Sequence, residues 1–152
     1  MSRPRRSITM SMSIRIPRRA EVVWPYLVDW ERLDRWMLEA RDFKVIGAQR
    51  EGVGVEAETT VRIAGINTRD RVRVTRWEPP WLLELDHLGW VDGTGYMELT
   101  PQDGGTMLFW RENLFPPWGW LGAIGMRMMT PLMRRVFERD LRVLRDLIQE
   151  ES

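Results

Sequence analysis

The chain has 152 residues, 43% of them hydrophobic and 30% charged, with a formal net charge of +1. That length suits one domain with a real core. The balanced charge excludes a disordered chain and a nucleic-acid binder with a concentrated basic face, and the absence of cysteine excludes a disulfide framework, a thiolate metal site and a cysteine nucleophile.

A reducing cytoplasm is the expected compartment. All but one of the basic residues are arginine, the exception being Lys44. Codon usage in a GC-rich genome explains this more simply than anion recognition by guanidinium forks. Residues 1–6 are basic but lack the apolar block of a signal peptide, so they read as a flexible tail ahead of a single domain over residues 7–150.

The first element is a strand, because Ile8, Met10, Met12, Ile14 and Ile16 alternate with polar residues until Pro17. Two short helices follow over Ala20–Asp29 and Glu31–Ala40, carrying Val23, Trp24, Leu27, Leu33, Trp36 and Met37. From Phe43 onward the pattern changes to strands. Val55 to Ile63 alternates cleanly, and after a turn over Gly65–Asn67 a second strand carries Val72 and Val74. Pro79-Pro80 breaks that strand. Trp81–Leu88 forms the next, Asp92-Gly93 a turn, and Gly95–Thr100 another strand. Asp103-Gly104-Gly105 is a hairpin signal, and Thr106–Asn113 closes a meander of five or six antiparallel strands.

Leu114–Met133 holds a single charge, Arg127, but Pro116, Pro117, Pro131 and three glycines make it a poor membrane span. It reads as a loop entering a long helix over Trp118–Glu150. Met126, Met129, Met133, Val136, Phe137, Leu141, Leu144 and Ile148 form its apolar stripe. Glu138 and Arg142 are spaced to pair, and Pro131 marks a kink or a division of the helix. One strand, two short helices, an antiparallel meander and a long terminal helix make an α+β order, in which the sheet curls around the helix and leaves a cavity.

Ile16-Pro17-Arg18-Arg19-Ala20-Glu21-Val22-Val23-Trp24, then Asp29 and Trp36, resemble the opening of the polyketide cyclase/dehydrase and START-like superfamily (SRPBCC, Bet v 1-like). Trp77-Glu78-Pro79-Pro80, Leu99-Thr100-Pro101 through Thr106, and Phe137-Glu138-Arg139-Asp140-Leu141 with Leu144 are similar to its middle turn, last hairpin and terminal helix. The resemblance implies the helix-grip fold and a pocket for lipids, polyketides or quinones. It implies no reaction, since members bind or carry as well as catalyse.

By strand parity the pocket walls are Val55, Ala57, Thr59, Val61, Val72, Val74, Leu83, Leu85, His87, Met97, Leu99, Leu108 and Trp110. The helix contributes Met126, Met129, Met133 and Phe137. For each, ordinary core packing is the competing reading. His87, the only histidine, is the candidate for acid–base work, and Asp70 and Glu112 face the cavity by the same parity argument, where a buried carboxylate polarises a ligand carbonyl or hydroxyl. A satisfied core histidine and carboxylates exposed at strand ends are the plainer alternative. No metal-ligand set, nucleophile elbow or phosphate cradle stands out, so no cofactor is expected.

Trp118 and Trp120 form a lid over the pocket, a transient membrane contact or plain packing. Three functions compete. The first is binding or transport of a hydrophobic small molecule. The second is an aromatase/cyclase using His87, Asp70 or Glu112. The third is a membrane- or partner-docking module built on Trp118–Met133. Neither the ligand nor the oligomeric state is readable from the sequence.

Overall fold

The structure is a computed structural model that describes residues 7–152; the tail expected over residues 1–6 lies outside the described residues. Strand β1 (Ile8–Ile16) leads into helix α1 (Ala20–Val28), a short 3-10 helix (Trp30–Arg35) and strand β2 (Ala40–Ile46). Strands β3 (Glu56–Ile63), β4 (Ile66–Glu78), β5 (Leu82–Leu88), β6 (Asp92–Gln102) and β7 (Gly105–Phe115) follow, and helix α2 (Gly119–Glu151) ends the chain. They form one seven-stranded sheet in the order β1-β7-β6-β5-β4-β3-β2, antiparallel throughout. The six-strand meander thus returns its last strand to the first, and α2 lies along β1 across the concave face. This is the expected helix-grip architecture.

Several local expectations are corrected. The stretch read as a second helix over Glu31–Ala40 is a 3-10 helix that ends at Arg35. Trp30, Leu33 and Trp36 recur at every third residue, and a helix of three residues per turn stacks all three on one buried face. Asp92-Gly93 is not a turn but the start of β6, pairing with Phe115 and Leu114. Gly93 is needed there for close approach, because a Cβ would stand 2.3 Å from the Asn113 carbonyl oxygen.

The turn placed at Gly65–Asn67 is Ala64-Gly65, both at positive φ, so β4 already begins at Ile66. Asp103 and Gly104, also both at positive φ, form the two-residue hairpin loop between β6 and β7. Glu138 pairs with Arg134 at 3.2 Å. Helix α2 runs unbroken through Pro131, where Thr130 Oγ1 donates to the Met126 carbonyl at 2.8 Å.

The core lies at one end of the sheet. Phe137, Leu141, Leu144 and Ile148 of α2 are buried against Ile16, Val23, Leu99 and Leu108, among others. The α2 spacing follows the three- and four-residue repeat of a helix face, whereas each strand contributes alternate residues. Replacing Leu144, which is fully buried, with alanine should lower stability by about 2–5 kcal/mol. Urea unfolding followed by circular dichroism checks this.

Candidate functional site

Between the first half of α2 and the strands the sheet is not filled. A cavity of about 210 Å³ remains, lined mostly by apolar side chains. Eleven of the expected wall residues line it: Thr59, Val61, Val72, Leu83, Leu85, His87, Met97 and Trp110 from the sheet, and Met126, Met133 and Phe137 from α2. Its volume falls between the ~150 Å³ of a cavity that takes benzene and the ~300 Å³ at which sites for drug-sized molecules begin.

Seven expected wall residues stand elsewhere. Val55, Ala57, Val74, Leu99 and Leu108 point inward but are sealed in the packed end of the core. Their parity is right and their height along the strands is wrong for the cavity. Met129 lies off the lining on the flank of α2, packed against the core. Trp118 is 71% exposed, with its backbone left-handed just before α2, so it does not roof the cavity.

Conversely, Trp30, Leu33, Met37 and Glu39 complete one wall from the segment between α1 and β2. The three-residue spacing of Trp30, Leu33 and Trp36 was the available signal. Parity arguments restricted to the meander pass over it.

Into this apolar space the strands bring a charged chain of three side chains. His87 on β5 places Nδ1 2.8 Å from Asp70 Oδ2 and Nε2 2.7 Å from Glu112 Oε2. Trp110 Nε1 donates to the other Glu112 oxygen at 2.7 Å. The side chains grow steadily more buried along the chain, from 20% exposed at Asp70 to 15% at His87 and 8% at Glu112.

Register explains the meeting. His87 lies beside Val72 on β4 and Gly93 on β6, and Glu112 lies opposite Gly95. A Cβ at position 95 would come within 3.1 Å of Glu112 Oε1 and 3.4 Å of His87 Nε2. Gly95 is therefore what allows both to lie over the sheet. Burial acts to lower the His87 pKa, but the Glu112 charge, the hydrogen bonds to Asp70 and Glu112 and the Asp70 charge outweigh it and hold the pKa well above the usual value. An imidazolium between two carboxylates follows, with a net charge of −1. The carboxylates sit on opposite sides of the ring, and among the described residues no group of His, Cys, Asp and Glu is placed to hold a metal ion.

A second buried polar pair borders the cavity. Asp140 of α2 is completely buried on the apolar stripe and accepts the Leu38 N–H at 3.3 Å. Glu39, which lines the cavity, lies against it. Glu39 Oε2 and Asp140 Oδ2 accept from no donor among the described residues, which fits two adjacent carboxyl groups holding one proton between them. Burial first, then the hydrogen bond and charge of Asp140, push Glu39 up to about 9. The Asp140 position, between Phe137 and Leu144 on the stripe, was visible in the sequence.

The folded pair keeps a proton that an unfolded Glu39 releases near pH 4.5, so stability falls as pH rises from there toward about 9. His87 acts in the same direction. Its contribution is complete below about pH 6.5 and is lost as pH rises toward its elevated folded value. Glu39→Gln, which needs no proton to donate to Asp140, should flatten the decline and be more stable than wild type at pH 8. Chemical unfolding at a series of pH values between pH 6 and 9 measures both slopes.

The comparisons with known proteins agree with the fold. Residues 7–149 match the family described as polyketide cyclase/dehydrase and lipid transport. No curated protein matches the chain. Among solved structures, TTHA0849 from Thermus thermophilus superposes with a TM-score of 0.82 at 17% identity, covering 95% of this chain and 99% of that one. The ZhuI aromatase/cyclase from Streptomyces sp. R1128 gives 0.79 at 14% identity, covering 95% and 94%. Ara h 8.0201 gives 0.65 at 10% identity, covering 95% and 99%. At these identities the structures speak for the fold alone. The family match spans nearly the whole chain, and this protein belongs to the polyketide cyclase/dehydrase and lipid-transport family, with a helix-grip fold suited to holding a hydrophobic molecule.

Proposed function

We propose that the protein binds a compact hydrophobic molecule in the cavity between the sheet and the first half of α2, and carries or presents it without changing it. The observation that supports this reading most directly is the cavity itself, unfilled and apolar beside a tightly packed core. The Met97, Met126 and Met133 side chains in its wall can repack around different shapes. Naphthalene, a two-ring probe with no polar group, should bind saturably with one site per chain in isothermal titration. Leu85→Trp, which fills the cavity, should abolish that binding. A wild-type protein that shows no saturable uptake defeats the reading.

A catalytic version is favoured by one feature, the Asp70–His87–Glu112 chain. A cyclisation gains most from holding a flexible substrate folded, and Glu112 is the buried carboxylate nearest the role of a base. Both His87 nitrogens are already taken by carboxylates, however, so a substrate carbonyl must displace one of them to use the imidazolium as an acid. That requirement makes binding the better fit. Conversion of a poly-β-ketone thioester to an aromatic product, lost in His87→Ala while naphthalene still binds, would establish catalysis instead.

A separate surface supports transient contact with an anionic membrane. Leu121, Ile124, Met128 and Leu132 share the outer face of α2 and are exposed, as are Trp118 and Trp120 at its start. Trp90 from the β5–β6 turn meets Trp118 edge-on, with ring centroids 5.1 Å apart. No acidic residue occurs between Glu112 and Glu138, whereas Arg127, Arg134 and Arg135 do. Among the described residues no helix is long and apolar enough to cross a membrane, so the contact is one of lying on the interface. Wild type should co-sediment with vesicles of equimolar phosphatidylglycerol and phosphatidylcholine, more weakly with phosphatidylcholine alone. The Trp118→Ala/Trp120→Ala double variant should stay in solution; equal sedimentation of wild type and variant removes the contact.

A further inference from the structure

The hydrogen-bonding capacity left inside the cavity is one-sided. Beyond the two N–H groups of His87 and the indole of Trp110, the Trp30 indole donates to the Arg50 carbonyl at 2.9 Å. Thr59 Oγ1 donates to the Arg41 carbonyl at 2.8 Å, and the Tyr96 hydroxyl to Glu98. Glu39 shares its proton with Asp140. The lining donors not so engaged, Thr68 and Arg69, lie side by side on β4, where Arg69 is exposed and borders an outer polar depression as well as the cavity. Deeper in, spare capacity belongs to acceptors. Glu112 Oε1 and Oε2 each receive one hydrogen bond, and a carboxylate oxygen can accept a second.

From this we infer that the ligand is an apolar molecule whose polar end is a hydrogen-bond donor (a phenol, alcohol or amine) received by Glu112, and that carboxylates such as fatty acids are excluded. The inference rests on the cavity being the binding site and adds the chemistry of what binds there. A ligand acceptor entering the deep part would lose its water and find no free donor, which is costly in an apolar site. A ligand anion would in addition lie against Glu112 and Asp70, whose joint charge exceeds that of His87 by one. An incoming O–H or N–H meets an ionised acceptor already oriented by Trp110 and His87, the stronger class of hydrogen bond.

Four probes of one skeleton separate the possibilities: naphthalene, 2-naphthol, 2-methoxynaphthalene and 2-naphthoate, titrated calorimetrically into wild type at neutral pH. The expected result is 2-naphthol tighter than 2-methoxynaphthalene by about tenfold or more, with 2-naphthoate not bound. If naphthalene itself fails to bind, the cavity reading is lost and this inference with it. If naphthalene binds but 2-naphthol is no tighter than its methyl ether, or 2-naphthoate binds as well as 2-naphthol, only the donor rule is overturned. Glu112→Gln, with each affinity taken relative to naphthalene in the same variant, should bring the hydroxyl and methoxy probes to similar affinity. Full retention of the hydroxyl preference in that variant removes Glu112 as the receiving group.

Discussion

The structure depends on one helix filling only part of a curved sheet. From Phe137 onward α2 presents large apolar residues at close spacing, and the sheet closes on them. Before Phe137 the inner face carries Ala123, Met126, Thr130 and Met133, which are smaller or more pliant, and the strands opposite stand away. The same helix thus seals one end of the domain and leaves the other hollow. Leucine and isoleucine at the sealed end anchor the fold, so the hollow end can remain unfilled without losing the architecture.

A hollow, apolar interior makes every polar group beside it matter. An isolated carboxylate there would be untenable, and both polar clusters show how the fold meets that constraint. Asp70, His87 and Glu112 arrange alternating charges across β4, β5 and β7, reaching over Gly95 of the intervening β6, so that each ionised group has an opposite neighbour. Glu39 and Asp140 instead retain a proton between them. Removing one member from either cluster leaves its partner buried without compensation, and such clusters are accordingly weak sources of stability but strong determinants of arrangement. In this protein they set the polarity of the cavity and leave it without spare donors beside Glu112.

The apolar residues on the outer face of α2 are a different matter from those inside. Leu121, Ile124, Met128 and Leu132 lie opposite Met126 and Met133 on the same turns. One stretch of helix therefore separates the cavity from the exposed apolar face. A surface that holds the outer side of α2 would act on the wall of the cavity directly, through the helix itself and not through a relay of intervening residues.

Much of this was determined by the sequence alone. Alternation in β1 and β3, the Asp103-Gly104 hairpin and the stripe from Met126 to Ile148 are local patterns, and local patterns suffice for element type, order and inward face. They also suffice for the resemblance to the family. Trp30, Leu33 and Trp36 were legible as apolar but not as a 3-10 turn, because helix and 3-10 repeats differ little over so few residues.

What only the tertiary structure decided is height along the strands and coincidence between them. Parity cannot tell Val74, sealed in the core, from Val72, on the cavity wall, since both point the same way. Nor can it show that His87 has two carboxylate partners, because Asp70, His87 and Glu112 lie on β4, β5 and β7 and meet only through pairing register and the missing side chain at Gly95. Sequence alone foretold a cavity bounded by these strands and this helix, but the charge inside it is a property of contacts far apart in the chain.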